Sequence, residues 1–293
     1  MSVDTEVGPQ LRSFTSRGLT LRYADWGGEG LPVLVLVHGT RDHARSWDWT
    51  ARALRHEYRV LAPDLVGHGE SEWDTAGGYL LQDYVYDLAE LVRLSGAERI
   101  RIIGHSLGGR IAITFAGIFA DKVEKLVAIE GMGASDQTVR ERLSAPLATR
   151  IRKWMDEWQA AAARQPRPYE SVDAVAERLL ARNPYFTPEQ GRHLAEHTVR
   201  RQADGTYILR DDPAVRISRP FDFGIEDRAA LAAAVECDVL LAHGSESFLP
   251  NPAHDGRDKQ FRSARTVTFD NAGHWLHHDR FDDFIKEVRR FLA

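Results

Sequence analysis

The most informative stretch of this chain reads Ile100-Arg101-Ile102-Ile103-Gly104-His105-Ser106-Leu107-Gly108-Gly109. An apolar β-branched run, a Gly-x-Ser-x-Gly turn and a helix-forming segment follow one another, which predicts a strand, a sharp turn and a helix. In such a turn the serine hydroxyl stands above the strand ends, and the N-terminal N–H groups of the helix point toward it. Gly104 and Gly108 fit because a Cβ atom at either position would collide with neighbouring backbone. Ser106 is therefore the candidate nucleophile.

Short β-branched runs alternate with helical patterns along most of the chain. This alternation predicts an α/β fold, with a mostly parallel sheet covered by helices. The run at 33–37 is apolar at every position, as expected of a strand that is buried on both faces. The other predicted strands are 58–62, 100–104, 125–129, 238–242 and 266–269, with an antiparallel hairpin over 14–24. The predicted helices are 47–55, 82–94, 107–119, 228–235, 254–261 and 282–292.

The strand pattern stops between about Gly131 and Asp227. This part is rich in Ala, Arg and Gln, with predicted helices near 138–163, 171–181 and 188–200 and no strand of the core type. The sheet pattern is incomplete without the segments on both sides of it. We therefore interpret 131–227 as a helical cap inserted into one core, which is formed by 1–130 and 228–293.

Composition and charge exclude several classes of protein. A 43% share of hydrophobic and 28% of charged residues is typical of a globular chain and excludes a disordered or collagen-like one. The net charge of −5 argues against a nucleic-acid partner. The longest apolar run, at 31–37, is far shorter than the roughly 20 residues of a membrane span. With a single cysteine, Cys237, and no signal-peptide pattern at the N-terminus, we expect a cytoplasmic protein without a membrane partner, either a monomer or a homodimer.

Further motifs follow the predicted strands. They are His38-Gly39, the run Ala62-Pro63-Asp64-Leu65-Val66-Gly67-His68-Gly69-Glu70-Ser71, and Asn271-Ala272-Gly273-His274-Trp275. With the Ser106 turn, they closely resemble the α/β-hydrolase superfamily from Leu31 to Leu292. Three more stretches are similar to a cap-bearing subgroup of small bacterial ester hydrolases: Arg41-Asp42-His43, Ser46-Trp47-Asp48-Trp49 and Ala128-Ile129-Glu130-Gly131. The resemblance implies an eight-stranded, mostly parallel sheet and a small-molecule substrate. No cofactor is expected, and no metal-ligand spacing is present.

The resemblance also implies which histidine activates the nucleophile. A serine needs a general base near neutral pH, and the family places its histidine after the last strand, where this chain has His274. His277 and His278 follow it and are expected to be surface or packing residues. His105 is expected to pack behind the nucleophile without a catalytic role.

The acid that orients His274 is where the chain departs from the commonest family pattern. The usual position, after the penultimate core strand, holds Ser247, followed by Phe248. Glu130, at the end of the strand after the nucleophile, is the preferred candidate, because a carboxylate that ends a buried strand is costly unless it is paired. Glu246, one residue before the usual position, is the second candidate. The absence of any acid partner is the third possibility.

Two backbone N–H groups are expected to hold the oxyanion of a tetrahedral intermediate. The resemblance implies Leu107, directly after the nucleophile, and Thr40, with Arg41 as the alternative if the turn is offset. Two sets of cap residues have open roles. The aromatic and sulfur-containing set either packs the core or lines an apolar acyl pocket: Met132, Trp154, Met155, Trp158, Phe186 and Phe221. The basic set forms either a solvated face or a clamp for a substrate carboxylate: Arg140, Arg142, Arg150 and Arg152.

These observations favour a serine hydrolase that cleaves a small ester, lactone or related acyl substrate through an acyl-enzyme. Hydrolysis of a carbon–carbon bond by the same residues is an alternative within the enzymes. A ligand-sensing receptor built on the same fold, with little turnover, is an alternative from another class, because fold alone does not determine function.

Overall fold

A computed structural model describes residues 8–75, 79–217 and 219–293. Its centre is an eight-stranded sheet with the strand order β1-β2-β4-β3-β5-β6-β9-β10. These strands are β1 (Gln10–Ser16), β2 (Leu19–Asp25), β3 (Val33–Val37), β4 (Arg59–Pro63), β5 (Ile100–His105), β6 (Val123–Ile129), β9 (Asp238–Gly244) and β10 (Ala264–Phe269). β1, β2 and β4 pair antiparallel, and the strands from β4 to β10 across the sheet pair parallel. The predicted α/β fold with a mostly parallel eight-stranded sheet is confirmed.

Helices cover both faces of the sheet, which explains why its central strands are apolar at nearly every position. The helices of the core are α1 (Asp48–Leu54), α2 (Leu81–Ser95), α3 (Leu107–Ile118), α8 (Ile225–Ala234), α9 (Pro252–Asp255), α10 (Leu276–Asp279) and α11 (Phe281–Leu292). Leu91, Phe115 and Ala232, from α2, α3 and α8, belong to the hydrophobic cluster on one face. Leu54 and Phe284, from α1 and α11, belong to the cluster on the other face. Of the described residues, none lies in a helix that is both long and apolar enough to cross a bilayer.

The segment between β6 and α8, which we call the inserted segment, is mainly helical. It contains α4 (Asp136–Ser144), α5 (Leu147–Ala162), α6 (Val172–Arg182), α7 (Pro188–Thr198), β7 (Val199–Arg201) and β8 (Tyr207–Leu209). The helix predicted over 138–163 is wrong as a single element, because Pro146 forces the preceding Ala145 into extended backbone and separates α4 from α5. No strand of the main sheet comes from the described residues of this segment, as expected, but β7 and β8 form a short antiparallel ribbon that was not predicted, and the helix predicted to reach residue 200 ends at Thr198. These are short strands outside the main sheet, so the parallel core is unaffected.

One helix of the core was also predicted too long. The pattern over 254–261 gives only the short α9, because Gly256 adopts φ +77 and ends the helix before a 3₁₀ turn over Arg257–Gln260. Glycine tolerates this left-handed backbone without the steric cost that a side chain would bring.

We expect Gly108→Ala to destabilise the fold strongly. A Cβ atom at Gly108 would lie 2.1 Å from the Val37 carbonyl oxygen, a backbone atom of a buried strand that has no room to shift. The free energy of unfolding should fall by about 3 kcal/mol, at the upper end of overpacking effects. Gly8→Ala, which meets no atom within 4 Å, is the matched control and should change it by less than about 0.5 kcal/mol in urea unfolding. Equal stability of the two variants would contradict this close packing of α3 on β3.

Candidate active site

Ser106 occupies the turn between β5 and α3 with strained backbone. Its φ of 51° and ψ of −112° are uncommon for a residue with a side chain, and its N–H donates to the Ile129 carbonyl oxygen at 2.8 Å. Such strain persists only where the surrounding structure imposes it and is often found at functional sites. The strand, turn and helix predicted around this serine are therefore the local structure that the chain adopts.

The loop after β3 lies directly against Ser106. A Cβ atom added at Gly39 would be 3.2 Å from the Ser106 Cβ, so a side chain at Gly39 would crowd Ser106. Buried His38 holds this loop, with Nδ1 donating to the Gly39 carbonyl oxygen at 2.7 Å and Nε2 accepting from the Leu65 N–H at 3.0 Å. The N–H groups of Thr40 and Leu107 have no acceptor within the described parts of the chain, so both remain available to a ligand.

Glu130 follows β6 with φ 55°, and its carboxylate is surrounded by donors. Oε1 accepts from the Gly244 N–H at 2.8 Å and lies 3.0 Å from His243 Nδ1. Oε2 accepts from the Ser247 hydroxyl at 2.7 Å and lies 3.6 Å from His274 Nδ1. The carboxylate side chain is fully buried, so Glu130 is a paired charge at a strand end, as its sequence position requires.

The electrostatic balance at Glu130 favours the ionised form. Burial by itself raises the pKa of this carboxyl, but the His243 imidazole, the nearby His274 imidazole, the Gly244 N–H and the Ser247 hydroxyl outweigh burial and lower the pKa to about 2. Glu130 is therefore a carboxylate at neutral pH. It can hold a neighbouring imidazole in one tautomer and stabilise that imidazole once it is protonated.

His274 lies in the loop between β10 and α10, and contacts on several sides fix it. Its carbonyl oxygen accepts from His105 Nε2 at 2.9 Å, which links it to the residue just before Ser106. The rings of His105 and Phe248 lie 4.7 and 4.6 Å from its own ring, measured between centroids. His274 is 8% exposed. The structure thus brings the predicted histidine to Glu130 on one side and to the nucleophile turn on the other.

Glu246, the second candidate for the acid, lies elsewhere. Its side chain is exposed and interacts with the Tyr185 hydroxyl of the inserted segment, which raises the pKa of Tyr185. Ser247, at the position where the family commonly has its acid, instead donates to the Glu130 carboxylate. The loop after β9 therefore supports the carboxylate that comes from β6.

Two residues near the site were not found by sequence reasoning. His243, near the end of β9, places a second imidazole against the Glu130 carboxylate. In the sequence, only its position directly before Gly244 could have pointed to this contact. Asp279, in α10, accepts from the Gly273 N–H at 2.8 Å and so holds the loop that carries His274. Burial raises the pKa of Asp279 to about 6. His277 and His278 are buried packing residues, 1% and 5% exposed.

The aromatic and sulfur-containing side chains considered from the sequence fall into different environments: Phe186 lies 6.2 Å from the Trp275 ring, beside His274, and Met132 lines a small pocket with Glu130. Trp154 and Trp158 pack against the core cluster, whereas Met155 and Phe221 are 49% and 64% exposed. Arg142 pairs with Asp222, and the Arg150 guanidinium donates to backbone carbonyl oxygens. These side chains hold the segment in place, and the basic set does not converge on a clamp.

Among the described residues, Asp48, His193 and His197 could offer ligand atoms to a metal, since these atoms lie within 4.8 Å of one another. The charges around these three residues favour a network of ion pairs over a metal site. Asp48 is already bonded to Arg45 at 2.6 Å and lies 3.6 Å from Arg52, and two fixed positive charges oppose a divalent cation. The group links α1 of the core to α7 of the inserted segment.

The family model described as the alpha/beta hydrolase family matches residues 34–287. The 3-hydroxybutyrate-oligomer hydrolase of Cupriavidus necator is 29% identical over 243 residues, which are 78% of each chain. An esterase of Mycobacterium tuberculosis is 28% identical over 270 residues, 91% of this chain and 84% of that protein. The solved thioesterase domain from the curacin biosynthetic pathway has a TM-score of 0.84 and 19% identity, covering 97% of this chain and all of that one. The chain therefore belongs to the α/β-hydrolase family and is an enzyme of the hydrolase type.

Proposed function

We propose that this hydrolase cleaves a small ester or related acyl substrate, with Ser106 as nucleophile, His274 as general base and Glu130 as the acid that orients His274. The observation that carries the proposal is the position of Glu130. It is a buried, ionised carboxylate 3.6 Å from His274 Nδ1, and the backbone of His274 is bonded to the residue before Ser106. Catalytic hydrogen bonds are often longer without substrate and tighten when it binds.

In the proposed reaction the Ser106 oxygen attacks the substrate carbonyl while His274 takes the hydroxyl proton. The N–H groups of Thr40 and Leu107 hold the resulting oxyanion. Leu107 directly follows Ser106, Thr40 directly follows Gly39 of the loop against Ser106, and neither N–H has another acceptor among the described residues. Collapse of the tetrahedral intermediate expels the alcohol, which receives the proton from His274. A water molecule then attacks the acyl-enzyme by the same steps and releases the acid and free Ser106.

The relatives support an ester as the substrate class. One is named an esterase and another a 3-hydroxybutyrate-oligomer hydrolase. Their names apply to those proteins, and their agreement on hydrolysis makes an ester the first substrate to test here.

A fluorophosphonate probe tests the nucleophile directly. We expect labelling of Ser106, located by mass spectrometry of the digested protein, because the probe reacts with activated serines. A series of 4-nitrophenyl esters of increasing acyl length should then show turnover, and labelling should abolish that turnover. Folded protein that neither reacts with the probe nor hydrolyses any ester would contradict the proposal.

A further inference from the structure

A cationic cavity lies close to the loop that follows β3. Its volume is about 370 Å³, large enough for part of a small ligand. Both the core and the inserted segment line it. Its charged lining residues are Arg41, Arg164, Arg167, Arg178, Arg216 and Asp211.

Asp211 balances only part of this positive charge. Its Oδ2 lies 3.1 Å from Arg216 Nη2 and 3.4 Å from Arg41 Nε, so one carboxylate oxygen serves two guanidinium groups. Arg41 Nε is buried and makes no hydrogen bond to any described residue. Burial and the charge of Arg216 lower the pKa of Arg41, which reflects the cost of this crowding.

Two further guanidinium groups of the lining, those of Arg167 and Arg178, are held in position by an aromatic ring. Arg167 and Arg178 lie 5.5 and 5.9 Å from the Tyr169 ring centroid, and Arg178 also donates to the Tyr169 hydroxyl. Tyr169 is itself fixed by two backbone hydrogen bonds to Tyr207 of β8. The short ribbon that sequence reasoning missed thus orders one wall of the cavity.

The loop that contacts Ser106 also contributes a residue, Arg41, to the lining of the cavity. Arg41 is two residues after Gly39, so the Cα atoms of these two residues are at most about 7 Å apart. A Cβ atom at Gly39 would lie 3.2 Å from the Ser106 Cβ. Arg41 therefore lines the cavity from the same short loop that contacts Ser106, which places the cavity within reach of a substrate held at that serine.

We propose that this cavity binds an oxyanion of the substrate, a carboxylate or a phosphate group separate from the scissile carbonyl. Guanidinium groups bind both anions through paired, charge-assisted hydrogen bonds. The inference rests on the proposed acyl hydrolysis and adds the substrate class, an ester or thioester that carries a negative charge. The anion can be supplied by the acyl group or by the leaving group, and the experiment separates these sources.

Matched substrates test the proposal with the intact protein. The acyl arm compares kcat/KM for mono-4-nitrophenyl suberate with that for 4-nitrophenyl octanoate. The leaving-group arm compares S-octanoyl-phosphopantetheine with S-octanoyl-pantetheine. We expect a preference of about tenfold or more for the charged substrate in one arm, weakening at high salt. Equal values in both arms, with Ser106 still labelled by the fluorophosphonate, would overturn the inference and leave the proposed function intact.

Variants then assign the preference to the cavity. Arg41→Gln, and separately Arg164→Gln with Arg167→Gln, should each reduce the charged-to-neutral ratio toward one. The control is Arg140→Gln with Arg200→Gln, which removes the same charge from exposed positions outside the cavity and should keep the ratio of the unchanged protein. Fluorophosphonate labelling confirms that each variant is folded. A ratio that falls equally in the control would contradict the assignment, since general charge would then explain it.

Discussion

Ser106→Ala should lower kcat for ester hydrolysis by about 10⁵- to 10⁶-fold, the scale of loss when the nucleophile of a serine hydrolase is removed. Alanine has no hydroxyl to attack the carbonyl, and the remaining groups supply only positioning and oxyanion binding. The backbone at this position is already strained, with φ 51°, and alanine tolerates it about as well as serine does. We therefore expect the thermal unfolding midpoint to change little while turnover and fluorophosphonate labelling are lost.

Ser144→Ala is a suitable control for this variant. It also removes a serine hydroxyl, one that donates to the Glu141 carbonyl oxygen on the inserted segment. We expect it to retain the activity and labelling of the unchanged protein. If Ser106→Ala kept more than about one per cent of kcat, another group would have to be the nucleophile, because that residual activity is far above what remains when a triad serine is removed.

The nucleophile turn could be predicted because its constraints lie within ten residues. Gly104 shows such a local constraint, since a Cβ atom there would lie 2.3 Å from the Gly108 carbonyl oxygen within the same turn. The His274 loop was also recognisable, from a local motif after the last strand. Signals of this kind do not depend on how distant segments pair.

The choice between Glu130 and Glu246 depended on distances that a sequence does not contain. The register of β5 on β6 pairs His105 with Ile129, so that Ser106 and Glu130 follow at the same edge of the sheet. Nothing in either strand alone specifies that register. The cationic cavity could not be predicted from the sequence for the same reason, since its arginines come from four separated parts of the chain.

Glu130→Gln should lower kcat by about 10⁴-fold, the loss found when a triad carboxylate becomes an amide. An amide carries no negative charge to stabilise the protonated imidazole of His274. The matched control is Glu246→Gln, which makes the same change on an exposed side chain in the loop after β9. It should alter kcat by less than about twofold. The opposite result, loss of activity with Glu246→Gln alone, would make Glu246 the acid.

Glu130→Gln also removes a structural interaction, so stability must be measured beside activity. The pKa of Glu130 is lowered to about 2 in the folded protein, below the ordinary value near 4.5 of an unfolded chain. Its contribution to stability is therefore present above about pH 4.5 and is lost as the pH falls toward 2. We expect the unfolding free energies of the two proteins to differ most near pH 7 and to converge in acid.

Titration of active sites separates the catalytic role of Glu130 from this structural one. A variant that is merely less stable contains fewer competent molecules, so the amount of Ser106 labelled at completion falls while each competent site reacts at the normal rate. A variant that has lost the orienting carboxylate is labelled completely but slowly, because no carboxylate then orients His274 and stabilises its protonated form. We expect the second pattern, with the rate of fluorophosphonate labelling and kcat both reduced. A normal labelling rate at reduced amplitude would show that Glu130 supports the fold and that His274 works without it.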